Sequence, residues 1–477
     1  MRTHDSLSIT QAIRGLTTGI ATFLRDHLAE RNDFGMRSFY GEAFTLALLA
    51  RANRLDAATE AKLLRAYQDK NRADPQYHWE FNHYGMLEAG RLEQPLRFKH
   101  TSCTNWTLLR ANVRLRSGGD ASQALQEARA KIKRMQKPSG LILDDPGVKS
   151  FQYHCFSAAM LFEMHQHTLA PDLLEPFLNA VRFIRNFILP DGDTLYVGRG
   201  QQQSFGYASL IYILSAAYSS TGDARLLDDL HKVVKRLASH AHANGSLPLV
   251  IGGGPEPLPH SDTPHHDTRY PGWYAYNNYF DYLPFAGLFL HKAAELLATA
   301  PVHQPALHAA QRAYRDEDFI KVVAGNTIAV ISRPGGYWTN DLPVPYVFSG
   351  GRVRTGCYGG EQFGGGLYSL RGLPLPLGRT RSLRWRAKSF FVGQTMIVVS
   401  PYGVLIRRFD ITERRVGMHT RLLSPFSFKD RYLFPADGPV IRSTYPMEDD
   451  GVEYSASGPL RAVQAAGMGE VILEFPE

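Results

Sequence analysis

The spacing of apolar residues changes once along this chain, near residue 318, and that change divides the folds open to it. From about residue 8 to 315, apolar side chains recur every three or four positions, which lines them along a helix face. Helices are predicted roughly over 8–31, 38–53, 56–70, 78–91, 103–117, 120–136, 151–168, 172–188, 204–220, 223–242, 274–298 and 304–315. The run Phe205 to Tyr218 presents apolar groups on more than one side, as an inner helix packed on both faces does. Leu226 to Leu237 alternates an apolar stripe with a charged one and reads as an outer helix. Short turns such as Gly118-Gly119-Asp120 and Thr221-Gly222-Asp223 join such segments, which predicts helical hairpins wound into a toroid or superhelix. No exact sequence repeat accompanies the pattern.

Beyond residue 318 the chain turns to short apolar runs punctuated by Gly and Pro: Phe319 to Val323, Thr327 to Ser332, Thr395 to Ser400 and Gly403 to Phe409. These are strand signals at hairpin spacing with no helices between them, so an antiparallel β-sandwich packed on the helical part is expected. The predicted division is a helical domain over 1–315 and a sandwich over 316–477. A chain of 477 residues exceeds the size at which one core usually stops growing, which agrees with two domains.

Lys and Arg exceed Asp and Glu by 53 to 45, a formal net charge of +8, which favours an anionic partner: nucleic acid, an acidic lipid surface or an acidic polysaccharide. Aromatics crowded among Gly and Asn from Gly272 to Tyr282 suit sugar rings better than a phosphate backbone, so an anionic polysaccharide is the expected partner, not nucleic acid or membrane. No organic cofactor is expected, and no Walker or dinucleotide motif is present. Cys103, Cys155 and Cys357 are odd in number and widely spaced, against a disulfide framework. No run of about 18 apolar residues occurs. The N-terminus shows no export signal, so cytoplasmic placement is expected as written, and periplasmic or secreted placement if a leader has been removed. Oligomeric state is not legible.

Four clusters carry candidate chemistry. Tyr77 to Tyr84 opens a helix with Asn82, whose amide suits a carboxylate, and His83, which can bind or take a proton; Tyr84 joins them as a substrate contact. The plainer reading is a helix turn whose Asn and His satisfy nearby backbone. Tyr153 and His154 sit where a loop enters a helix, and a nearby cation such as Lys149 or Arg199 would let the phenol move protons; a buried Tyr-His pair is the plainer reading. The loop 189–204 offers Arg199 as a bidentate carboxylate partner and Gln203 as a neutral sugar contact. His265, His266 and Asp267 match no strong zinc pattern, so no metal is predicted, and the loop leads into Tyr274, Tyr276 and Asn277, which suit subsites.

Asn82-His83 opening a helix, then Asn105-Trp106, then an acidic-Gly loop from Asp145 to the Tyr153-His154 pair, then Pro190 to Asp193, in that order, resembles the heparinase II/III-like polysaccharide lyases over about residues 75–210. The resemblance implies an incomplete (α/α) toroid followed by an antiparallel β-sandwich, in agreement with the periodicity. It also implies β-elimination of a uronate-containing polysaccharide, with Asn82 neutralising the carboxylate, Tyr153 moving protons and Trp106 lining the site. One departure lies in the sandwich. The family's His-rich segment there is replaced by Phe348 to Gly360, and the sole histidine after residue 318 is His419. Either His83 or His154 takes its place, or Arg352, Arg354 and Tyr358 reach the cleft, or the chemistry differs. The leading expectation is a lyase with Asn82, His83, Tyr153 and His154 as its catalytic residues. The alternatives are a toroid glycoside hydrolase pairing Glu80 with Asp191 or Asp281, and a binding or assembly protein without turnover.

Overall fold

The computed structural model describes residues 2–31, 34, 39–73, 78–93, 95–198, 201–251, 279–299, 313–333, 344, 346–355, 369–370, 388–400, 403–423, 428–435, 438–455, 458–466 and 468–475. Its helices are α1 (Arg2–Glu30), α2 (Gly41–Arg51), α3 (Ala57–Ala73), α4 (Trp79–Glu88), α5 (Thr104–Arg116), α6 (Ala121–Met135), α7 (Phe151–Thr168), α8 (Pro171–Arg185), α9 (Ser204–Thr221), α10 (Arg225–Ser239) and α11 (Tyr279–Thr299). Local chemistry sets several ends. The side chains of Asp120 and Ser150 accept the backbone N–H of Gln123 and Tyr153, opening α6 and α7. Pro171 starts α8, and Gly222, at φ 65°, closes α9 in the left-handed conformation.

Helices α2, α4, α5, α7, α9 and α11 are buried almost all round, whereas α6, α8 and α10 bury one stripe. The first set packs in the order α2, α4, α5, α7, α9, α11 and back to α2, forming an inner ring. The others lie outside it: α3 on α2, α6 on α5, α8 on α7, α10 on α9, and α1 against α10 and α11. Among the described residues, five outer helices against six inner ones leave the toroid incomplete. No helix among them is long and apolar enough to cross a membrane.

The predicted helix over 304–315 is corrected where it can be seen. Tyr314 and Arg315 form a strand paired with Lys321 and Ile320, and the Asp316 carboxylate turns the chain by accepting the N–H groups of Asp318 and Phe319 at 2.7 and 2.6 Å.

The strands are β1 (Tyr314–Arg315), β2 (Phe319–Ala324), β3 (Thr327–Ser332), β4 (Tyr346–Ser349), β5 (Arg352–Val353), β6 (Ser369–Leu370), β7 (Lys388–Val392), β8 (Thr395–Ser400), β9 (Gly403–Thr412), β10 (Arg415–Leu423), β11 (Phe428–Pro435), β12 (Val440–Ser443), β13 (Met447–Ser455), β14 (Gly458–Ala466) and β15 (Gly469–Glu474). They form three antiparallel sheets, β1-β2-β3-β4-β5, β12-β15-β10-β9-β8-β7 and β13-β14-β11-β6. The first is a middle layer. Phe319, Val330, Tyr346 and Phe348 point into the helical core, while Ile320, Ala329, Ile331 and Val347 point into a second core shared with the larger sheet. Successive residues of a strand face opposite ways, so a sheet covered on both sides needs continuous apolar runs, and Phe319 to Val323 and Thr327 to Ser332 are such runs.

Candidate functional site at the mouth of the helical ring

The inner helices bring their N-terminal ends together. Tyr40, which caps α2, stacks on Phe81 of α4 at 4.8 Å between ring centroids and lies 6.5 Å from Tyr282 of α11. Phe205 of α9 contacts Tyr282 at 4.4 Å and Tyr153 of α7 at 6.3 Å, and Trp106 of α5 meets Phe81 edge-on at 5.0 Å. Three phenols, Tyr40, Tyr153 and Tyr282, thus gather at one mouth. The Tyr40 hydroxyl pKa is raised well above its ordinary value, by burial first and then by Tyr282, Asp281 and Tyr153, so this phenol keeps its proton at neutral pH.

Asp281 builds this mouth. One of its oxygens accepts the N–H groups of Phe39, Tyr40 and Gly41 at 2.9, 2.9 and 2.8 Å, so a carboxylate from α11 caps α2. Asn82, on α4, has no solvent exposure. Its Nδ2 donates to the carbonyls of Phe39 and His78 at 2.7 and 3.0 Å, and its Oδ1 is buried with no hydrogen-bond partner. In this arrangement Asn82 offers an acceptor. One turn earlier His78 lies between Phe39 and Trp106, at 4.4 and 5.2 Å, with its Nδ1 also buried and unpartnered. Burial, followed by the Lys99 charge, lowers the His78 pKa to about 3, so it is neutral. The sequence reading passed over Tyr40, and it placed His78 and Tyr282 within polar-aromatic runs without naming either as a site residue. His78 carried a signal, being one helical turn before Asn82, whereas Tyr40 and Tyr282 meet the others only through ring closure.

Several expected site residues serve elsewhere. His154 accepts the N–H of Ile142 at Nδ1 (2.9 Å) and donates from Nε2 to Ala180 O (3.0 Å), so both ring nitrogens are spent on backbone. His83 accepts the N–H of Arg97 and stacks on Trp79 at 5.5 Å, and its Nδ1 is buried without a partner. Tyr84 is sealed inside the ring with its hydroxyl on Glu163 and Lys292, and Gln203 is buried, its Oε1 accepting from Gln152, so neither is placed for a sugar. The Lys149 ammonium bonds Ser332 and the carbonyl of Arg333 on the first sheet. Arg354 is buried, its Nε on Ser349 O. Arg199, Tyr274, Tyr276, Asn277, Tyr358 and the loop with His265, His266 and Asp267 lie outside the described residues.

Burial lowers the His154 pKa to about 4. Between that value and the ordinary 6.5 the unfolded chain binds a proton that the folded one refuses, so stability falls as pH drops across this window. His154 alone accounts for roughly 3–4 kcal/mol across that window. Thermal melts from pH 7 to 4 are expected to show the decline, and His154→Gln to make it shallower, the remainder coming from the buried His78 and His83.

Two buried networks flank the mouth. Inside the ring, Glu163 accepts from Tyr84, Asn112, Arg116 and Lys292, while Glu88 pairs with Lys292, Arg116 and Arg51. At the first sheet, Asp193 accepts from Tyr207, Gln202, Arg236 and Tyr346, and the Tyr346 ring stacks on Tyr196 at 3.9 Å. The turn presenting Asp193 requires Gly192: at φ 85°, a Cβ there would lie 2.3 Å from Lys232 O.

No protein-family model matches the sequence, and no curated protein matches it. Likeness appears in three dimensions. Heparinase III superposes with a TM-score of 0.51 over 91% of this chain and 76% of its own, at 7% identity. A mutant of the heparan sulfate lyase HepC from Pedobacter heparinus gives 0.49 at 11% identity, over 91% of this chain and 75% of that one. An unsaturated glucuronyl hydrolase specific for heparin gives 0.41 at 12% identity, over 60% of this chain and 96% of its own. The chain has the heparinase III fold, an incomplete toroid of helical hairpins followed by antiparallel sheets. That is the fold implied by the Asn-His, Asn-Trp and Tyr-His order.

Proposed function

We propose that this protein is a polysaccharide lyase that cleaves a uronate-containing anionic chain by β-elimination. The observation that carries the reading is the convergence of Tyr40, Tyr153 and Tyr282 at one mouth, on the same helix ends as a buried Asn82 whose amide oxygen has no partner. Elimination needs a base for the C5 proton and an acid for the departing O4. Tyr153, ionised to its phenolate, takes the proton and becomes the phenol as the C5–H bond breaks, the electron pair forms the C4=C5 double bond, and the C4–O4 bond opens. Tyr40, held protonated by burial, supplies the proton to O4. Asn82 Oδ1 accepts from a sugar hydroxyl.

The carboxylates that a hydrolase would pair support the same choice. Asp281 is spent on three backbone N–H groups, Glu80 accepts the N–H groups of Lys99 and His100 at 3.2 and 3.1 Å, and Asp191 is paired with Arg236 at 2.9 Å. The test is a panel of glucuronans, alginate, glycosaminoglycans and bacterial exopolysaccharides, followed by the far-ultraviolet absorbance of a 4,5-unsaturated uronate. Wild type is expected to produce it, and Tyr153→Phe to slow the rate about a hundredfold to ten-thousandfold with unchanged circular dichroism. New reducing ends without the chromophore would replace elimination by hydrolysis. Binding without either product would make the protein a receptor for the polymer.

A further inference from the structure

The mouth has phenols and an amide oxygen, but elimination also needs a positive group at the substrate carboxylate, because the C5 carbanion is stabilised only when that charge is countered. Asn82 cannot supply it while Nδ2 is held by two carbonyls. We propose that Lys99 takes the carboxylate of the acidic sugar, with His78 beside it completing the subsite; this rests on the glycan reading of the same mouth.

Lys99 is placed by a built device. Glu80, with no solvent exposure, accepts the backbone N–H groups of Lys99 and His100, and the Arg110 guanidinium lies 3.5 Å from the same carboxylate. His100 adopts φ 54°, a left-handed conformation that costs a non-glycine residue energy and persists only where surroundings enforce it. Sequestering a carboxylate and straining a residue to fix a solvent-facing lysine makes little sense for a solvated surface charge. The result is a lysine ammonium 5.9 Å from the centroid of the Trp106 ring, an arrangement in which the aromatic face holds the cation without neutralising it.

His78 is the second independent observation. Its ring packs on the same Trp106, its Nδ1 is buried without a partner, and Asn82 Oδ1, one turn further along α4, is likewise unpartnered. Buried polar atoms are rarely left unsatisfied. A cation sharing Trp106 with His78, one helical turn from Asn82, fits a ring bearing a carboxylate and neighbouring hydroxyls: the carboxylate meets Lys99, and the hydroxyls meet Asn82 Oδ1 and His78. Sequence reasoning assigned Glu80 to a hydrolase pair; here it is a positioning residue acting through Lys99.

The test is calorimetric binding of hexamers of glucuronate, mannuronate and heparan sulfate to the full chain carrying Tyr153→Phe, so that no probe is consumed. Each hexamer has a control with its carboxyl groups reduced to alcohols. Lys99→Met is expected to weaken binding of a uronate hexamer about tenfold and to flatten its salt dependence, with Lys99→Arg restoring most of the loss. The carboxyl-reduced hexamer is expected to bind equally with and without Lys99. Glu80→Gln is expected to weaken the same hexamer, less than Lys99→Met does. Unchanged affinity in Lys99→Met, an equal loss for the reduced hexamer, a loss confined to sulfated probes, or no binding of any hexamer would each overturn the assignment. Lys99-dependent binding in a protein whose wild type yields no unsaturated product would leave this inference standing and remove the lyase reading.

Discussion

Truncating Glu163 to alanine is expected to destabilise the protein by about 3–5 kcal/mol, the usual cost of removing one partner from a buried ion pair. Glu163 lies inside the helical ring and receives the Lys292 ammonium, the Arg116 guanidinium, the Tyr84 hydroxyl and the Asn112 amide. Its removal leaves two buried cations sharing Glu88. Urea unfolding followed by circular dichroism reads the change, and Glu163→Gln, which keeps volume and one acceptor, should lose less. An unchanged midpoint would mean that solvent reaches the ring interior. The network also has a pH signature. Burial alone would raise the Glu88 pKa, but Lys292, Arg116 and Arg51 outweigh it and hold the carboxyl below its ordinary value. A carboxyl with a depressed folded pKa adds its full stability above the ordinary carboxylate range and loses it as pH falls through the depressed value. Glu88→Gln should therefore matter most at neutral pH and least in strong acid.

Asp193→Ala is expected to cost a similar ~3–5 kcal/mol, and to show it in a different place. Asp193 has no solvent exposure and joins the helices to the first sheet through Tyr346, while Arg236 depends on it and on Asp191 for its countercharge. Losing it leaves the Tyr346 hydroxyl, the Tyr207 hydroxyl and a guanidinium buried with fewer partners. Amide hydrogen exchange should accelerate in β3, β4 and β5 before it does in α7 or α9. Uniform acceleration throughout would show that the sheet has no separate opening step.

The fold was legible because it is written in short-range spacing. Phe205 to Tyr218 is apolar around its whole circumference and is an inner helix; Leu226 to Leu237 has one stripe and is an outer one. The strands Phe319–Ala324 and Thr327–Ser332 stood out because both of their faces are buried. The site was less legible because its parts meet through ring closure. Tyr40 and Tyr282 are far apart in the chain, and nothing local in Phe280-Asp281-Tyr282 announces that Asp281 will cap α2. Tyr153-His154 illustrates the difficulty: adjacent residues on a helix point about 100° apart, so one reaches the mouth and the other turns outward to bridge Ile142 and Ala180. Glu163 and Lys292 did carry a signal that went unused. Glu163 is the lone carboxylate of α7 and Lys292 the lone lysine of α11, both helices apolar on most sides, and such a charge is seldom buried without a partner.

The middle sheet also bears on how this molecule can be taken apart. The apolar period changes at residue 318, but a cut there would strip Phe319 from its seat among Phe151, Phe183 and Phe187, whose rings lie 5.4, 6.1 and 5.3 Å away. A cut after β5 would instead bare Ile320, Ala329, Ile331 and Val347 on the opposite side. Either fragment would expose an apolar wall and tend to aggregate. Evolution can therefore exchange neither part as a ready-made module: a new partner for the toroid must bring its own strands to fill the groove beside α7 and α8.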